Sequence, residues 1–181
     1  KPDRIAEFKW PAAKSGASLK KVPQCIIDFY DKILSDPVGG GQDNALLKKT
    51  MHTDSIVHPG FSTFKTSGIQ GLKLITRFFG DVMPNIKYER KKEWFHEDMV
   101  VVLSKVSATV AGARRGDKDI LPFPGINPQD LTGEKFETLG ISIHRIVDGK
   151  IKQTYHVDEW QLAINQMLSS KPVPDFGFDQ L

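Results

Sequence analysis

The sequence predicts an α+β domain in which a curved antiparallel sheet wraps a layer of N-terminal helices. Three observations carry this reading. Apolar residues at helical three-and-four spacing occupy the chain before Pro84 and a short stretch near its end. Almost everything from Asn85 to Trp160 has strand character. Within that region Asp148-Gly149 separates two alternating runs, the strongest short hairpin signal.

Each element has its own justification. Residues 1–18, with Pro2, Pro11 and Gly16, show no sustained period and read as an arm laid over the domain and pinned by Phe8 and Trp10. From there Val22, Cys25, Ile26, Phe29, Tyr30, Ile33 and Leu34 describe one amphipathic helix, with Pro23 in its first turn and Asp36-Pro37-Val38-Gly39-Gly40 after its end. A second helix spans about Asp43 to Met51, and Ser55 to His58 is a brief extended run stopped by Pro59-Gly60. A third helix runs from about Gly68 to Val82, its apolar face formed by Ile69, Leu72, Ile75, Phe78, Phe79 and Val82; Pro84 ends it. Strands follow over Ile86 to Phe95 and over Asp98 to Gly112. The hairpin joins Ile141–Val147 to Lys150–Val157, and Arg114 to Gly133 is a long connection. A last helix covers about Glu159 to Leu168, and residues 169–181 form a tail. The domain proper is 19–168. Both faces of the Asp98–Gly112 strand are apolar, so a second copy of the chain is expected to cover the outer one, making a homodimer.

At 181 residues and 20.3 kDa the chain is one domain, long enough to remove about 70% of its unfolded surface from water. With 39% hydrophobic and 26% charged residues it is globular, and no apolar run reaches the roughly 18 to 20 residues of a membrane span. The net charge of +3 is dispersed, which argues against nucleic acid. A single cysteine, Cys25, excludes an intrachain disulfide and a cysteine-built zinc site. The start at Lys1 fits a removed leader or a trimmed chain, and leaves the compartment open between the cytoplasm and an exported mature form.

No phosphate loop, dinucleotide-binding glycine pattern, nucleophile elbow or His-Glu-x-x-His is present. The remaining candidates are polar side chains among apolar strands, the makeup of a pocket for a small hydrophobic organic ligand. His144, Tyr155, His156, Asp158 and Trp160 cluster on or just after the hairpin, and His58 joins them from the short strand; His52 and His96 read as solvated. A histidine can take and return a proton, a carboxylate can orient it, and aromatic walls can hold a flat substrate. The alternative for His156-x-Asp158 is structural, with Asp158 capping the following helix. His58, His144 and His156 have no recognised metal spacing, so no metal is expected. With a two-residue turn and strict pairing, Ser142 and His144 share a face with Gln153 and Tyr155, while His156 and Asp158 fall on the other; only a bulge would combine His144 with Asp158.

At the hairpin, Arg145-Ile146-Val147-Asp148-Gly149-Lys150-Ile151, followed by Tyr155-His156-Val157-Asp158-Glu159-Trp160 and Gln166-Met167, resembles the SnoaL-like polyketide cyclases. His52-Thr53-Asp54, Gly68-Ile69-Gln70-Gly71, Pro124-Gly125-Ile126-Asn127-Pro128 and Thr132-Gly133 resemble that family's corresponding segments, over about residues 20 to 168. The resemblance implies the cone-shaped nuclear-transport-factor-two-like superfold, and a cofactor-free enzyme without metal in which an aspartate of the last strand and a histidine fourteen positions earlier move protons. Laid ungapped, the aspartate position falls on His156 and the histidine position on Ser142, a departure from the family pattern; the spacing of fourteen recurs two places along, in His144 and Asp158.

The expected function is general acid/base catalysis, an aldol-type cyclisation or related proton transfer, on a hydrophobic polyketide-like carbonyl compound. His156 and Asp158 are the expected catalytic pair. His58, His144, Ser142, Tyr30, Phe79, Tyr155 and Trp160 are expected to bind substrate. The alternatives are a dehydratase, isomerase or epoxide hydrolase of the same superfold, or a ligand-binding or assembly module without turnover.

Overall fold

The computed structural model describes residues 19–59, 66–112 and 128–169. The predicted arm, most of the connection at 114–133 and the tail beyond Ser169 lie outside these residues. Helices come first. Gln24–Asp28 is α1, continued by a π-helical turn at Phe29–Leu34; a short 3₁₀ turn at Gly40–Gln42 leads to α2, Asn44–Thr50, capped by the Asp43 carboxylate on the amides of Ala45 and Leu46. Then follow β1 (Met51–Pro59), β2 (Thr66–Ser67), α3 (Gly68–Val82), β3 (Lys87–His96), β4 (Met99–Thr109), a 3₁₀ turn (Pro128–Leu131), β5 (Lys135–Val147), β6 (Lys150–Asp158) and α4 (Trp160–Ser169).

The first helix departs from the uniform period read in the sequence. Ser35 donates its backbone N–H to the carbonyl of Tyr30, five residues back, which widens the turn. The wider turn brings Phe29, Tyr30, Ile33 and Leu34 all into the interior, more than one α-helical stripe allows.

The six strands form one curved, unclosed sheet in the order β2-β1-β6-β5-β4-β3. Every neighbouring pair is antiparallel except β1 and β6, which run parallel, so the all-antiparallel expectation is corrected at one seam. β1 extends over Met51–Pro59 and is longer than the Ser55–His58 run read from β-branched residues, because pairing with β6 begins at Met51. Helix α3 packs on β1 and α4 on β5. The core between helices and sheet holds Ile26, Phe29 and Ile33 of the first helix, Leu72 and Phe79 of α3, and Val100, Val102, Val106, Phe136, Ile146 and Ile151 of the sheet.

The hairpin carries the fold's most consequential irregularity. Asp148 and Gly149 both take positive φ (49° and 72°), as the tight turn requires. Val147 pairs with Lys150 and Ile146 with Ile151, but Arg145 then pairs with Gln153, so Lys152 has no opposite residue. This β-bulge shifts the rest of β6 by one. Beyond it Ser142 faces His156, His144 faces Thr154 and Gly140 faces Asp158. Strict parity is therefore corrected: Ser142, His144, Thr154, His156 and Asp158 share the concave face, and Gln153, Tyr155 and Val157 take the convex one.

Candidate functional site

The concave face carries two neighbouring sets of hydrogen-bonded polar side chains. His156 is held at both ring nitrogens, Nδ1 against the Ser142 hydroxyl and Nε2 at 2.8 Å from Asp158 Oδ2. The same carboxylate oxygen accepts the Tyr88 hydroxyl at 3.1 Å. Deeper in, Tyr30 Oη lies 3.1 Å from His144 Nε2, and His144 Nδ1 lies 3.0 Å from Thr154 Oγ1. The Tyr30 and Tyr88 rings, with centroids 6.4 Å apart, set the two groups side by side. The pair fourteen residues apart that touches is thus Ser142 with His156, in direct register; His144 and Asp158 share the face without meeting.

Local structure explains each placement. Tyr30 arrives on the π-helical turn, Ser142 and His144 alternate on β5, and the bulge brings His156 and Asp158 round on β6. Gly140 stands opposite Asp158, and a Cβ there would collide with Asp158 Oδ1, so the missing side chain is what seats the carboxylate. Asp158 is the last residue of β6, and its Oδ1 is buried without a hydrogen-bond partner. The capping role weighed for it falls away: Oδ2 serves His156 and Tyr88, and α4 begins from the carbonyl of Glu159 instead.

Burial sets the electrostatics. His144 is completely buried, and desolvation, helped by the nearby His156, lowers its pKa from the usual 6.5 to about 3, so it is neutral at working pH. Burial likewise pushes the Tyr30 phenol well above its ordinary range, and burial together with the Asp158 charge does the same to Tyr88. Both phenols are therefore fixed proton-bearing donors. The group that reaches the cavity from these sets is His156, with Thr154 and Tyr88 beside it.

The cavity lies between helices and concave sheet, walled by Phe29, Leu34, Val57, Leu72, Ile75 and Phe79. The cavity is small, about 20 Å³, room for a water molecule. Tyr88 lines this cavity on one side and an open surface cleft with Asp31, Ser35, Lys87, Glu89 and Arg90 on the other.

Of the residues singled out in the sequence, His156, Asp158, Ser142, His144, Tyr30 and Phe79 come together here. Trp160 is buried below Phe79, with ring centroids 6.0 Å apart, and packs on Phe136. His58 and Tyr155 do not join them. They pair across β1 and β6 on the convex face, ring centroids 5.9 Å apart, because each lies one residue out of phase with the concave set. His52, read as solvated, bonds the Val147 carbonyl at 2.9 Å. Tyr88 and Thr154 were missed: a tyrosine in a charged strand and a threonine beyond an unseen bulge carry no signal in a single sequence. Among the described residues no group of three or more His, Cys, Asp or Glu side chains is placed to hold a metal ion, and no helix is long and apolar enough to cross a membrane.

No protein-family profile and no curated protein matches the sequence. Solved structures do match in shape. A protein provisionally assigned as a SnoaL-like polyketide cyclase from Jannaschia sp. CCS1 superposes with a TM-score of 0.60 at 16% identity, over 87% of this chain and 100% of that one. IdmH from Streptomyces antibioticus, provisionally assigned as a polyketide cyclase, gives 0.59 at 16% identity over 81% and 96%. A protein from Catenulispora acidiphila with a ketosteroid isomerase-like fold, solved with trimethylamine, gives 0.53 at 11% identity over 75% and 85%.

Proposed function

We propose that this chain, which has the SnoaL-like fold, is a cofactor-independent acid/base catalyst acting on a hydrophobic, polyketide-like carbonyl compound. One observation carries the reading: a His156–Asp158 couple, 2.8 Å apart, stands at the polar end of an otherwise apolar internal cavity. Asp158 holds the Nε2 proton of His156, which leaves Nδ1 as the basic nitrogen. On substrate binding the imidazole turns toward the cavity, and Nδ1 leaves the Ser142 hydroxyl for an acidic C–H beside a carbonyl and takes its proton. The resulting imidazolium is stabilised by the Asp158 carboxylate. Attack of the enolate on a second carbonyl of the same molecule closes the ring, and His156 returns its proton to the new alkoxide. Dehydration or isomerisation would use the same proton transfers, and the fold does not choose among them.

The first step can be tested alone. Enolisable aryl 1,3-diketones are incubated with the protein in deuterium oxide, and exchange at the carbon between the carbonyls is followed by NMR. Exchange above the buffer rate, abolished in His156→Asn and in Asp158→Asn, is expected. The small cavity favours a second reading, a hydrophobic-ligand-binding or assembly module without turnover. That reading takes over if no exchange occurs and His156→Gln binds such a diketone as tightly as the unaltered chain.

We also propose that the convex face of the sheet pairs with a second copy of the chain. Eight large hydrophobic side chains are exposed among the described residues, and five of them, Ile56, Trp94, Ile141, Tyr155 and Val157, lie on this face. They extend in rows across the strands, Trp94–Val101–Ile143–Tyr155–His58 and Leu103–Ile141–Val157. The charges that bound the rows are already paired within the chain, Lys105 with Glu137 and Arg145 with Asp98. The same face of another copy therefore meets apolar surface rather than like charge.

A further inference from the structure

Resting on the reading of the cavity as the site of a carbonyl compound, with or without turnover, we propose that Thr154 is the hydrogen-bond donor that receives the carbonyl oxygen, its hydroxyl aimed into the cavity by the buried chain Tyr30–His144–Thr154. Tyr30 and His144 have no exposed surface and neither lines the cavity; Thr154 is as deeply buried but does line it, as His156 does. Tyr30 Oη lies 3.1 Å from His144 Nε2, and His144 Nδ1 lies 3.0 Å from Thr154 Oγ1. A phenol carries one proton, a neutral imidazole one N–H and one bare nitrogen, and a threonine hydroxyl one proton and two lone pairs. His144 is neutral because burial keeps it so. Three protons are thus shared over two hydrogen bonds, and one is left over at an end of the chain.

Only two arrangements make both bonds. In one, Thr154 donates to Nδ1 and Nε2–H donates to Tyr30, which leaves the phenolic proton over. That proton has no place to go: among the described residues Tyr30 Oη has His144 Nε2 as its one hydrogen-bond partner, and the Ser142 hydroxyl is engaged with His156 Nδ1. A donor left unmet in a closed interior is costly. In the other arrangement Tyr30 donates to Nε2, Nδ1–H donates to Thr154 Oγ1, and the proton left over is that of Thr154. It faces the cavity, where a ligand can meet it. The direction of the chain is therefore from Tyr30 outward.

Such a donor selects among ligands. The walls around it are Phe29, Leu34, Val57, Leu72, Ile75 and Phe79, which meet no polar group. A hydrocarbon leaves the hydroxyl unmet, and a carboxylate brings a charge that these walls do not match. A carbonyl oxygen accepts the one proton offered and brings nothing further to satisfy. Thr154 and His156 are alternate residues on the concave side of β6, roughly 7 Å apart along the strand. An oxygen held by Thr154 thus leaves its neighbouring carbon on the His156 side. If that carbon loses a proton, charge gathers on the oxygen and the Thr154 bond strengthens; without turnover, the same bond fixes the orientation of the ligand.

Two measurements test this. The first needs no ligand: in the ¹⁵N-labelled chain near neutral pH, long-range proton–nitrogen NMR is expected to show His144 with its proton on Nδ1 and a bare, hydrogen-bonded Nε2. A proton on Nε2 overturns the proposal, because Thr154 then donates to the ring. The second compares acetophenone with α-methylstyrene, which has a methylene group in place of the oxygen, by NMR titration. The unaltered chain is expected to bind acetophenone more tightly. Thr154→Val, which keeps the shape and removes the hydroxyl, is expected to weaken acetophenone about three- to tenfold and leave α-methylstyrene unchanged, and Thr154→Ser to restore the preference. Lost packing alone weakens both compounds alike, so an equal loss, no loss, or no preference in the unaltered chain overturns the assignment. Should Thr154→Val not fold, the carbonyl stretch of acetophenone bound to the unaltered chain is expected below its position in hexane, and an unshifted band overturns it. Deuterium exchange in the diketone without a Thr154-dependent preference would end this assignment and leave the acid/base reading; the preference without exchange would end the catalytic reading and leave Thr154 as the donor.

Discussion

His144 ties the interior network to the stability of the whole chain. Its pKa is lowered from 6.5 to about 3 by burial, then by His156, so between those pH values the unfolded chain binds a proton that the folded one refuses. Stability from this residue is complete above about pH 6.5 and is lost as pH falls toward 3, with a slope of up to about 1.4 kcal/mol per pH unit. Chemical denaturation at a series of pH values should show this slope, and His144→Gln should flatten it. Gly140 is a second single-residue determinant. Gly140→Ala places a methyl group where Asp158 Oδ1 sits, and a cost of about 1 to 3 kcal/mol with displacement of the carboxylate is expected. Thermal melts and the His156 nitrogen signals would check both parts; unchanged signals would mean that Asp158 has room elsewhere.

At the scale of elements, the bulge at Lys152 decides which side chains meet. Deleting Lys152 restores strict pairing and sends His156 and Asp158 to the convex face, or else breaks the pairing with β1. Loss of cooperative unfolding or of soluble protein is expected. A deletion variant that retains both the fold and diketone exchange would contradict the placement given to these residues. The bulge also marks the limit of what could be read beforehand. The helices, the long strands and the Asp148-Gly149 turn were legible because periodicity and turn chemistry are local. The outcome that depended on one unpaired residue, Ser142 facing His156 rather than Tyr155 sharing the face of His144, was not. The π-helical turn that buries Tyr30 was hidden for a similar reason: Phe29, Tyr30, Ile33 and Leu34 fit an α-helix equally well by spacing. His58 was attached to the site by residue type alone, and the phase of β1 places it elsewhere.

For the whole molecule, the apolar convex face makes assembly measurable. Sedimentation at micromolar concentration is expected to show a dimer, and Ile141→Glu or Trp94→Glu, which add charge to exposed positions on the central rows, to release monomers with little change in folding. A monomer in the unaltered chain would leave the face without the occupant assigned to it. The cavity, by contrast, does not touch that face, so the two substitutions should leave deuterium exchange intact if monomers suffice.

The single parallel seam has a consequence for how the chain is made. Strand β1 leaves the ribosome well before its long neighbour in the sheet, β6, which follows nearly a hundred residues later. Until β6 slots between β1 and β5, the early helices and β1 have only the two-residue β2 as a strand partner, and the apolar side of β1 stays uncovered by sheet. Closure of the domain is therefore a late event in synthesis, dominated by contacts between distant parts of the chain, which is the slow regime of folding. A nascent chain stalled before Lys150 should be protease-sensitive throughout, helices included, and should become resistant in one step once Asp158 has emerged.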